Sequence, residues 1–356
     1  MKEGHLFELT LFRQDGTPVL SDTGQPVGPI PVRVDFDAAR EWARFQALRA
    51  RDIGYQQVTV GGPEPIWDSA HGAPYVRAFS IGVTSNSHSM AVEFPNTYFW
   101  AAARVVSSGF VQKGWLEAGE VIRYLVTSHP VKPPSDQGVG ARDRIRVRER
   151  APTPEQRRDR SLDGFMGTAR PCGDPADGDL PVFVAQAVLD EIARQTEEAG
   201  VLEAGAFLLG HLHRCPDSGQ VFLNITDQIP AEHTRQELMK LSFTAETFDA
   251  ARSGAKARGR GEMLAGWAHS HSWLQQQACK DCKKPKASCK ADFFSEEDVH
   301  VHRTAFLKAF SVALVASRSP CSELTWAMFG WKLGMVQRRG FYVTPNNHTN
   351  KTGEER

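Results

Sequence analysis

The N-terminal part of the chain opens with alternating apolar and polar positions. Between positions 5 and 12, Phe7, Leu9 and Leu11 share one face, while polar side chains take most of the other. Successive side chains of a strand point to opposite faces, so this alternation predicts a half-buried β-strand. Further strand candidates follow at 30–36, 57–60, 78–83 and 90–94.

A helical period replaces the alternation after Asp37. Apolar residues at three- and four-residue spacing predict a helix there, with Asp37 as its N-terminal cap. They are Ala39, Trp42, Phe45 and Leu48. Segments 99–106 and 117–126 are also predicted to be helical. Residues 1–130 are therefore expected to form a small accessory α+β domain, whose role the pattern leaves open.

Residues 131–178 differ in composition from the segments on either side. Pro133-Pro134, Gly138 to Gly140 and an arginine-dense tract predict a linker. A solvated connector is one interpretation of the arginines, and a contact for an acidic partner surface is the other. The first cysteine of the chain is Cys172. The N-terminal domain therefore lacks the nucleophile that thioester-forming ubiquitin-like activating or conjugating enzymes need.

From residue 179 onward, strand and helix patterns alternate. Val184, Val188, Leu189 and Ile192 lie at helical spacing. Apolar runs predict strands at 203–210, 221–225, 263–271, 311–316 and 324–329, with a helix start between 241 and 251 and a helix at 295–310. This order predicts an α/β domain over residues 179–345, followed by a polar tail at 346–356.

Candidate metal ligands lie in the last third of the chain. The apolar run from Met263 to Ala268 ends in His269 and His271, which share one face of an extended strand. Asp298 opens an amphipathic segment and would lie in the first turn of its helix, facing back toward that strand. Two histidines and one aspartate leave a fourth position open for water, which is typical of catalytic zinc. The alternative is a strand with two solvated or hydrogen-bonded histidines.

An ordered set of motifs surrounds these ligands. It consists of Glu203-Ala-Gly-Ala-Phe-Leu-Leu-Gly210, Gln228-Ile-Pro-Ala, His269-Ser-His271 and Ser295-Glu-Glu-Asp298. On these residues the chain resembles the JAB/MPN (JAMM) zinc metalloproteases, over roughly residues 180–343. It looks like a bacterial deubiquitinase-like protein with an extra N-terminal domain. The resemblance implies an MPN/JAB-type α/β/α sandwich around a mixed sheet, preceded by the small α+β domain.

The resemblance also implies an activity. It is zinc-dependent cleavage after the C-terminus of a ubiquitin-like protein, as an isopeptidase or peptidase, for deconjugation or precursor maturation. His269, His271 and Asp298 would hold zinc and activate a water, with Glu203 as general base and acid and Ser295 as a donor to the oxyanion. Expected partners are the ubiquitin-like protein or its conjugates, together with ubiquitin-like activating and conjugating enzymes.

Alternatives exist at each level of this interpretation. The domain could be a JAB-type peptidase acting on a substrate that is not ubiquitin-like, or a non-catalytic MPN scaffold. Glu203 could be a surface charge, and Ser295 could serve only as the cap of the helix that follows.

A long insertion separates the two parts of the zinc motif. The segment between His271 and Ser295 has 23 residues and contains Cys279, Cys282 and Cys289. A Cys-x-x-Cys pair with a third cysteine predicts a second, structural zinc if a fourth ligand is supplied. Candidates for the fourth ligand are His300, His302, Cys172, Cys215 and Cys321. The alternative is a basic loop of reduced thiols.

Charge and composition narrow the classes of partner. The chain has 42 lysines and arginines against 42 aspartates and glutamates, so no overall field selects nucleic acid or a membrane surface. No apolar run has the length of a membrane span, and the first residues lack the apolar core of a signal peptide. A cytoplasmic location is therefore expected, where cysteines bind metal more often than they form disulfides.

The two-zinc hypothesis can be tested by metal analysis. The fully metallated wild-type protein should contain two zinc ions per chain, and Cys282→Ser should lose one of them. The remaining zinc should stay bound because His269, His271 and Asp298 are unchanged. A single zinc in the wild type would contradict the structural site.

Overall fold

The computed structural model describes residues 4–51, 54, 57–69, 74–85, 88–131, 157–200, 202–231, 235–237, 240–271, 293–318 and 324–346. The chain forms two compact units. The N-terminal unit comprises Met1–Leu48, Ile53–Pro154 and Leu333–Met335, and the C-terminal unit comprises Arg49–Asp52, Glu155–Lys332 and Val336–Arg356. Within the described ranges, no helix combines the length and apolarity needed to cross a bilayer.

The first elements form two antiparallel sheets and two helices. They are β1 (Gly4–Arg13), β2 (Ile30–Val32), α1 (Asp37–Ala50), β3 (Val58–Asp68), β4 (Tyr75–Ser85), β5 (His88–Pro95), a 3-10 helix (Asn96–Phe99), α2 (Trp100–Gln112) and β6 (Ile122–Val131). The sheet orders are β2-β1-β6 and β3-β4-β5. The predicted strand at 5–12 is confirmed, and Phe7, Leu9 and Leu11 are buried as expected.

The predicted helix at 117–126 is wrong, because this segment leads into strand β6. All ten residues of β6 pair antiparallel with β1, from Gly4 opposite Val131 to Arg13 opposite Ile122. The pairing satisfies the backbone groups of β1 and buries Val126, so long-range hydrogen bonding overrides the local pattern. The predicted cap of α1 also differs, since the Asp35 carboxylate accepts the backbone N–H of Asp37.

The remaining elements form a large mixed sheet, a separate two-stranded sheet of residues 235–237 and 240–242, and helices. They are β7 (Arg157–Asp159), α3 (Leu162–Met166), β8 (Arg170–Cys172), β9 (Val182–Ala185), α4 (Gln186–Ala199), β10 (Gly205–Arg214), β11 (Val221–Pro230), β12 (Arg235–Glu237), β13 (Lys240–Ser242), α5 (Ala245–Ala257), β14 (Met263–Ser270), α6 (Glu296–Ala305), β15 (Val312–Arg318), β16 (Leu324–Lys332), β17 (Met335–Arg339) and β18 (Phe341–Thr344). The large sheet has the order β17-β16-β15-β14-β10-β11-β9-β18-β8, with β7 beside β10.

This sheet confirms the prediction of an α/β class with a mixed sheet. Strand β10 is antiparallel to β11 and β14, while β14 runs parallel to β15 and β9 runs parallel to β11 and β18. Every residue of β10 from Ala206 to His213 is buried. Burial of consecutive strand residues means that both faces of this strand are covered.

Two segments before β10 differ from the sequence pattern. Residues 157–172, predicted as part of the linker, supply β7, which pairs parallel with β10, and β8, which pairs with β18. The placement of Val184 on a helix is wrong. Val184 lies in β9, opposite Ile225 and Val343 on its two neighbouring strands, and α4 begins only at Gln186.

A buried histidine in β10 should make the stability of the protein depend on pH. His213 is 3% exposed, its Nδ1 lies 3.3 Å from the Arg158 carbonyl oxygen, and its ring stacks on Phe222. Burial lowers the pKa of His213 to about 4. An unfolded histidine has a pKa of about 6.5. As the pH falls from there toward 4, the unfolded chain therefore binds a proton that the folded chain excludes, and folding is disfavoured.

His213→Phe should retain the ring packing and remove this proton uptake. Between pH 7 and 4, the variant should lose about 3 kcal/mol less of its free energy of unfolding than the wild type. Chemical denaturation at several pH values measures this, with His300→Gln as a control that removes an exposed histidine. Equal pH dependence in His213→Phe and the wild type would contradict the assignment.

Candidate metal centre

The paired histidines meet at one point, as the strand pattern predicts. His269 lies in β14, His271 follows the end of that strand, and their side chains are buried. The Nε2 atoms of the two imidazoles are 3.3 Å apart.

Neighbouring strands fix the position of β14. Ser270 pairs with Ala316 of β15, and the backbone N–H of His271 donates to the Ala316 carbonyl at 3.0 Å. Glycine is required at position 266, because a Cβ there would lie 1.9 Å from the Val312 carbonyl oxygen. The ligand strand is therefore held against β15 by backbone contact on one side and by β10 on the other.

The aspartate reaches the histidines from the first turn of α6, as predicted. Ser295 is the N-cap: its Oγ accepts the Asp298 N–H at 3.0 Å, and its own N–H donates to Asp298 Oδ2 at 2.8 Å. This reciprocal capping box occupies one carboxylate oxygen. The other, Oδ1, lies 3.5 Å from His269 Nε2.

The environment of Asp298 keeps its carboxylate ionised at neutral pH. Burial raises the pKa of Asp298, but the opposing effect of His269 and of the Ser295 donors is larger, and the pKa falls to about 2. An ionised carboxylate is the form that binds metal.

The spacing of the three donors fits a zinc ion. His269, His271 and Asp298 each offer an atom, and these atoms lie within 4.8 Å of one another. A tetrahedron with metal–ligand bonds of about 2.0–2.1 Å has edges of about 3.3–3.4 Å. Two of the three separations, 3.3 and 3.5 Å from His269 Nε2 to His271 Nε2 and Asp298 Oδ1, are close to such edges. Three such ligands would leave the fourth position of a tetrahedron for a water molecule.

Glu203 is tied to the ligand strand through its neighbour in sequence. The Ser270 N–H donates to the Ala204 carbonyl at 2.9 Å, and the Ala204 N–H donates to Ser270 Oγ at the same distance. Ser270 lies between the two histidines in sequence, and Ala204, its hydrogen-bond partner, directly follows the half-buried Glu203. These two hydrogen bonds hold the backbone next to Glu203 against the ligand strand, and the role of Glu203 as the base stays a prediction.

The three cysteines predicted to bind a second zinc, Cys279, Cys282 and Cys289, lie outside the described residues, as does Cys321. Cys172 and Cys215 are free thiols, and Cys215 Sγ accepts the Leu162 N–H. His300 is exposed on α6. The structural zinc remains a prediction.

Two aromatic side chains beside the ligands were not singled out from the sequence. Trp267 stacks on His269 with ring centroids 4.7 Å apart and a 16° interplanar angle. Its position two residues before His269 was the available signal, since both then share a strand face. Phe293 contacts His271 with centroids 4.5 Å apart and is 48% exposed. No periodicity marks Phe293, because it precedes α6 in an irregular segment.

Comparison with known proteins finds solved structures that are distantly similar, among them two solution structures. No family model matches the chain, and no curated protein matches its sequence. A solution structure of a protein from Desulfitobacterium hafniense is 16% identical with a TM-score of 0.33, covering 49% of this chain and 99% of its own. One from Salinibacter ruber is 16% identical with a TM-score of 0.26, covering 46% and 92%. Likenesses this distant assign neither a fold nor a function.

Removal of the Ser295 hydroxyl should weaken both the helix and the site. Ser295→Ala should lower the free energy of unfolding of the metal-free protein by about 1 kcal/mol, as expected for loss of an N-cap. It should also weaken zinc affinity about tenfold, because Asp298 loses the partner that orients it. Calorimetry and chelator competition measure the two effects. Ser295→Thr keeps the hydroxyl and is the matched control, and unchanged zinc affinity in Ser295→Ala would contradict the orienting role.

Proposed function

We propose that the chain is a zinc-dependent hydrolase of the MPN/JAB type, an isopeptidase or peptidase that cleaves after the C-terminus of a ubiquitin-like protein. The observation that supports it is the convergence of His269, His271 and Asp298, whose donor atoms lie within 4.8 Å of one another, as three ligands of one zinc ion would require. Such open three-ligand sites are characteristic of catalytic zinc, whereas structural sites use four protein ligands.

The proposal includes the MPN/JAB-type α/β/α sandwich for residues 179–345. The mixed sheet and the burial of β10 on both faces agree with a layered fold of this kind. The ligand strand β14 is internal to the sheet, between β10 and β15, so it offers a rigid base for the two histidines.

Zinc bound by these three residues would lower the pKa of a water molecule and polarise the scissile carbonyl. Glu203 takes the proton of the attacking water and passes it to the departing amine. Ser295 Oγ accepts the Asp298 N–H through a lone pair, and its hydroxyl hydrogen, which helps to lower the pKa of Asp298, would turn to the oxyanion when substrate binds. The capping role of Ser295 and its proposed catalytic role are therefore compatible.

A ubiquitin-like protein or its conjugate is the proposed substrate, in deconjugation or precursor maturation. Ubiquitin-like activating and conjugating enzymes are the proposed functional partners. A gene neighbourhood that encodes these three classes of protein would agree with this assignment.

Substitution of the proposed base should separate metal binding from catalysis. Glu203→Gln should retain zinc, because the ligands are unchanged, and should lose at least about a hundredfold in rate, because the proton carrier is gone. His269→Ala should lose both zinc and cleavage. The measurements are zinc content and cleavage of ubiquitin-like proteins carrying C-terminal extensions, with the cut position read by mass spectrometry.

Glu297→Gln makes the same change of charge at an exposed residue of α6 and serves as the control. Full activity in Glu203→Gln would remove Glu203 from the mechanism. Cleavage that is indifferent to the ubiquitin-like part would favour a peptidase of other specificity. Zinc binding without cleavage of any extended substrate would favour a non-catalytic scaffold.

A further inference from the structure

Two pairs of side chains connect strand β14 to helix α6, His269 with Asp298 and Trp267 with His302. Trp267 and His269 are two residues apart on one strand face, and Asp298 and His302 are four residues apart on one helix face. Two strand residues advance about 6.6 Å, and four helix residues advance about 6 Å. The two spacings match, so His269 faces Asp298 while Trp267 faces His302.

The second pair is a directional hydrogen bond in the interior. Trp267 Nε1 donates to His302 Nδ1 at 3.2 Å, and the two side chains are 1% and 0% exposed. An indole nitrogen can only donate, so His302 Nδ1 is the acceptor and the proton of the neutral ring is on Nε2. A shift of one residue along α6 would rotate His302 by about 100° and leave a buried donor and a buried acceptor unpaired.

Trp267 also packs flat against the imidazole of His269. Its indole stacks on the His269 imidazole, and Phe306 lies nearly parallel to it, with an interplanar angle of 14° and centroids 6.1 Å apart. The ring of Phe243 is perpendicular to the indole at 5.4 Å. His269 Nδ1 is buried and has no hydrogen-bond partner among the described residues. Most metal-binding imidazoles are oriented by a carbonyl or carboxylate at this nitrogen, and here ring stacking takes that place.

We propose that Trp267 and His302 are positioning residues of the metal site. Their hydrogen bond sets the register of α6 on β14, which places Asp298 opposite the histidines, and the indole sets the plane of His269. The inference rests on the metal site of the proposed function, but it does not depend on the substrate.

Cobalt(II) binding to the full-length protein tests the inference without any assay of activity. Cobalt held by nitrogen and oxygen ligands is followed by its visible absorption, which lacks the near-ultraviolet charge-transfer bands of thiolate sites. The variants are Trp267→Phe, His302→Leu, the double variant and His302→Asn. Thr304→Val, at an exposed position of the same helix, is the control. Thermal unfolding of each metal-free variant is measured in parallel.

His302→Leu and Trp267→Phe should each weaken cobalt affinity about tenfold or more and alter the visible spectrum. His302→Asn keeps an acceptor at the position of Nδ1 and should restore affinity and spectrum toward the wild type. The double variant replaces both polar partners by apolar groups, so its metal-free thermal stability should recover. Its cobalt affinity should remain low, because no hydrogen bond sets the register.

Two results would overturn the inference in distinguishable ways. Wild-type affinity and spectrum in the double variant would mean that the pair only stabilises the fold. Absence of cobalt binding at this site in the wild type would overturn the metal site itself, and the positioning role with it.

Discussion

The contact between the first turn of α6 and the end of β14 is the interaction on which the candidate site depends. One oxygen of the Asp298 carboxylate accepts the Ser295 N–H and closes the start of the helix, while the other faces His269. The Asp298 side chain therefore has two functions. It satisfies an N–H group at the start of the helix, which would otherwise be unpaired, and it connects the helix to a strand that is distant in the chain. Loss of either contact would leave a partly buried carboxylate without one of its stabilising partners.

A cation would offset the repulsion between the acceptor atoms of His269, His271 and Asp298. Two imidazole Nε2 atoms 3.3 Å apart can be satisfied by one shared proton or by one metal ion. With both rings in the tautomer that binds metal, their lone pairs point at each other and at an ionised carboxylate. Such a concentration of acceptors in a buried site is unfavourable unless positive charge occupies it. The arrangement of these donors is therefore compatible with the proposed metal site.

The sequence predicted a strand or helix correctly where its apolar residues follow a single clear pattern. The alternation of Phe7, Leu9 and Leu11 identified β1, and the apolar run ending in His269 identified β14. The prediction failed for β6 and for Val184 because their apolar residues also fit a helical spacing, and only the pairing with distant strands makes these segments extended. Residues 157–172 have the composition of a linker, yet short strands there complete the sheet through backbone hydrogen bonds that composition does not reveal.

The sequence by itself determined the local geometry of the site. The spacing of His269 and His271 put them on one strand face, and the spacing of Ser295 and Asp298 put the carboxylate in a first helical turn. Only the tertiary structure decided which residues complete the site. Ala204 and Ser270 are 66 positions apart, and Trp267 and His302 are 35 apart. Periodicity acts over a few residues, whereas these contacts follow from the order of strands in the sheet and the register of a helix upon it.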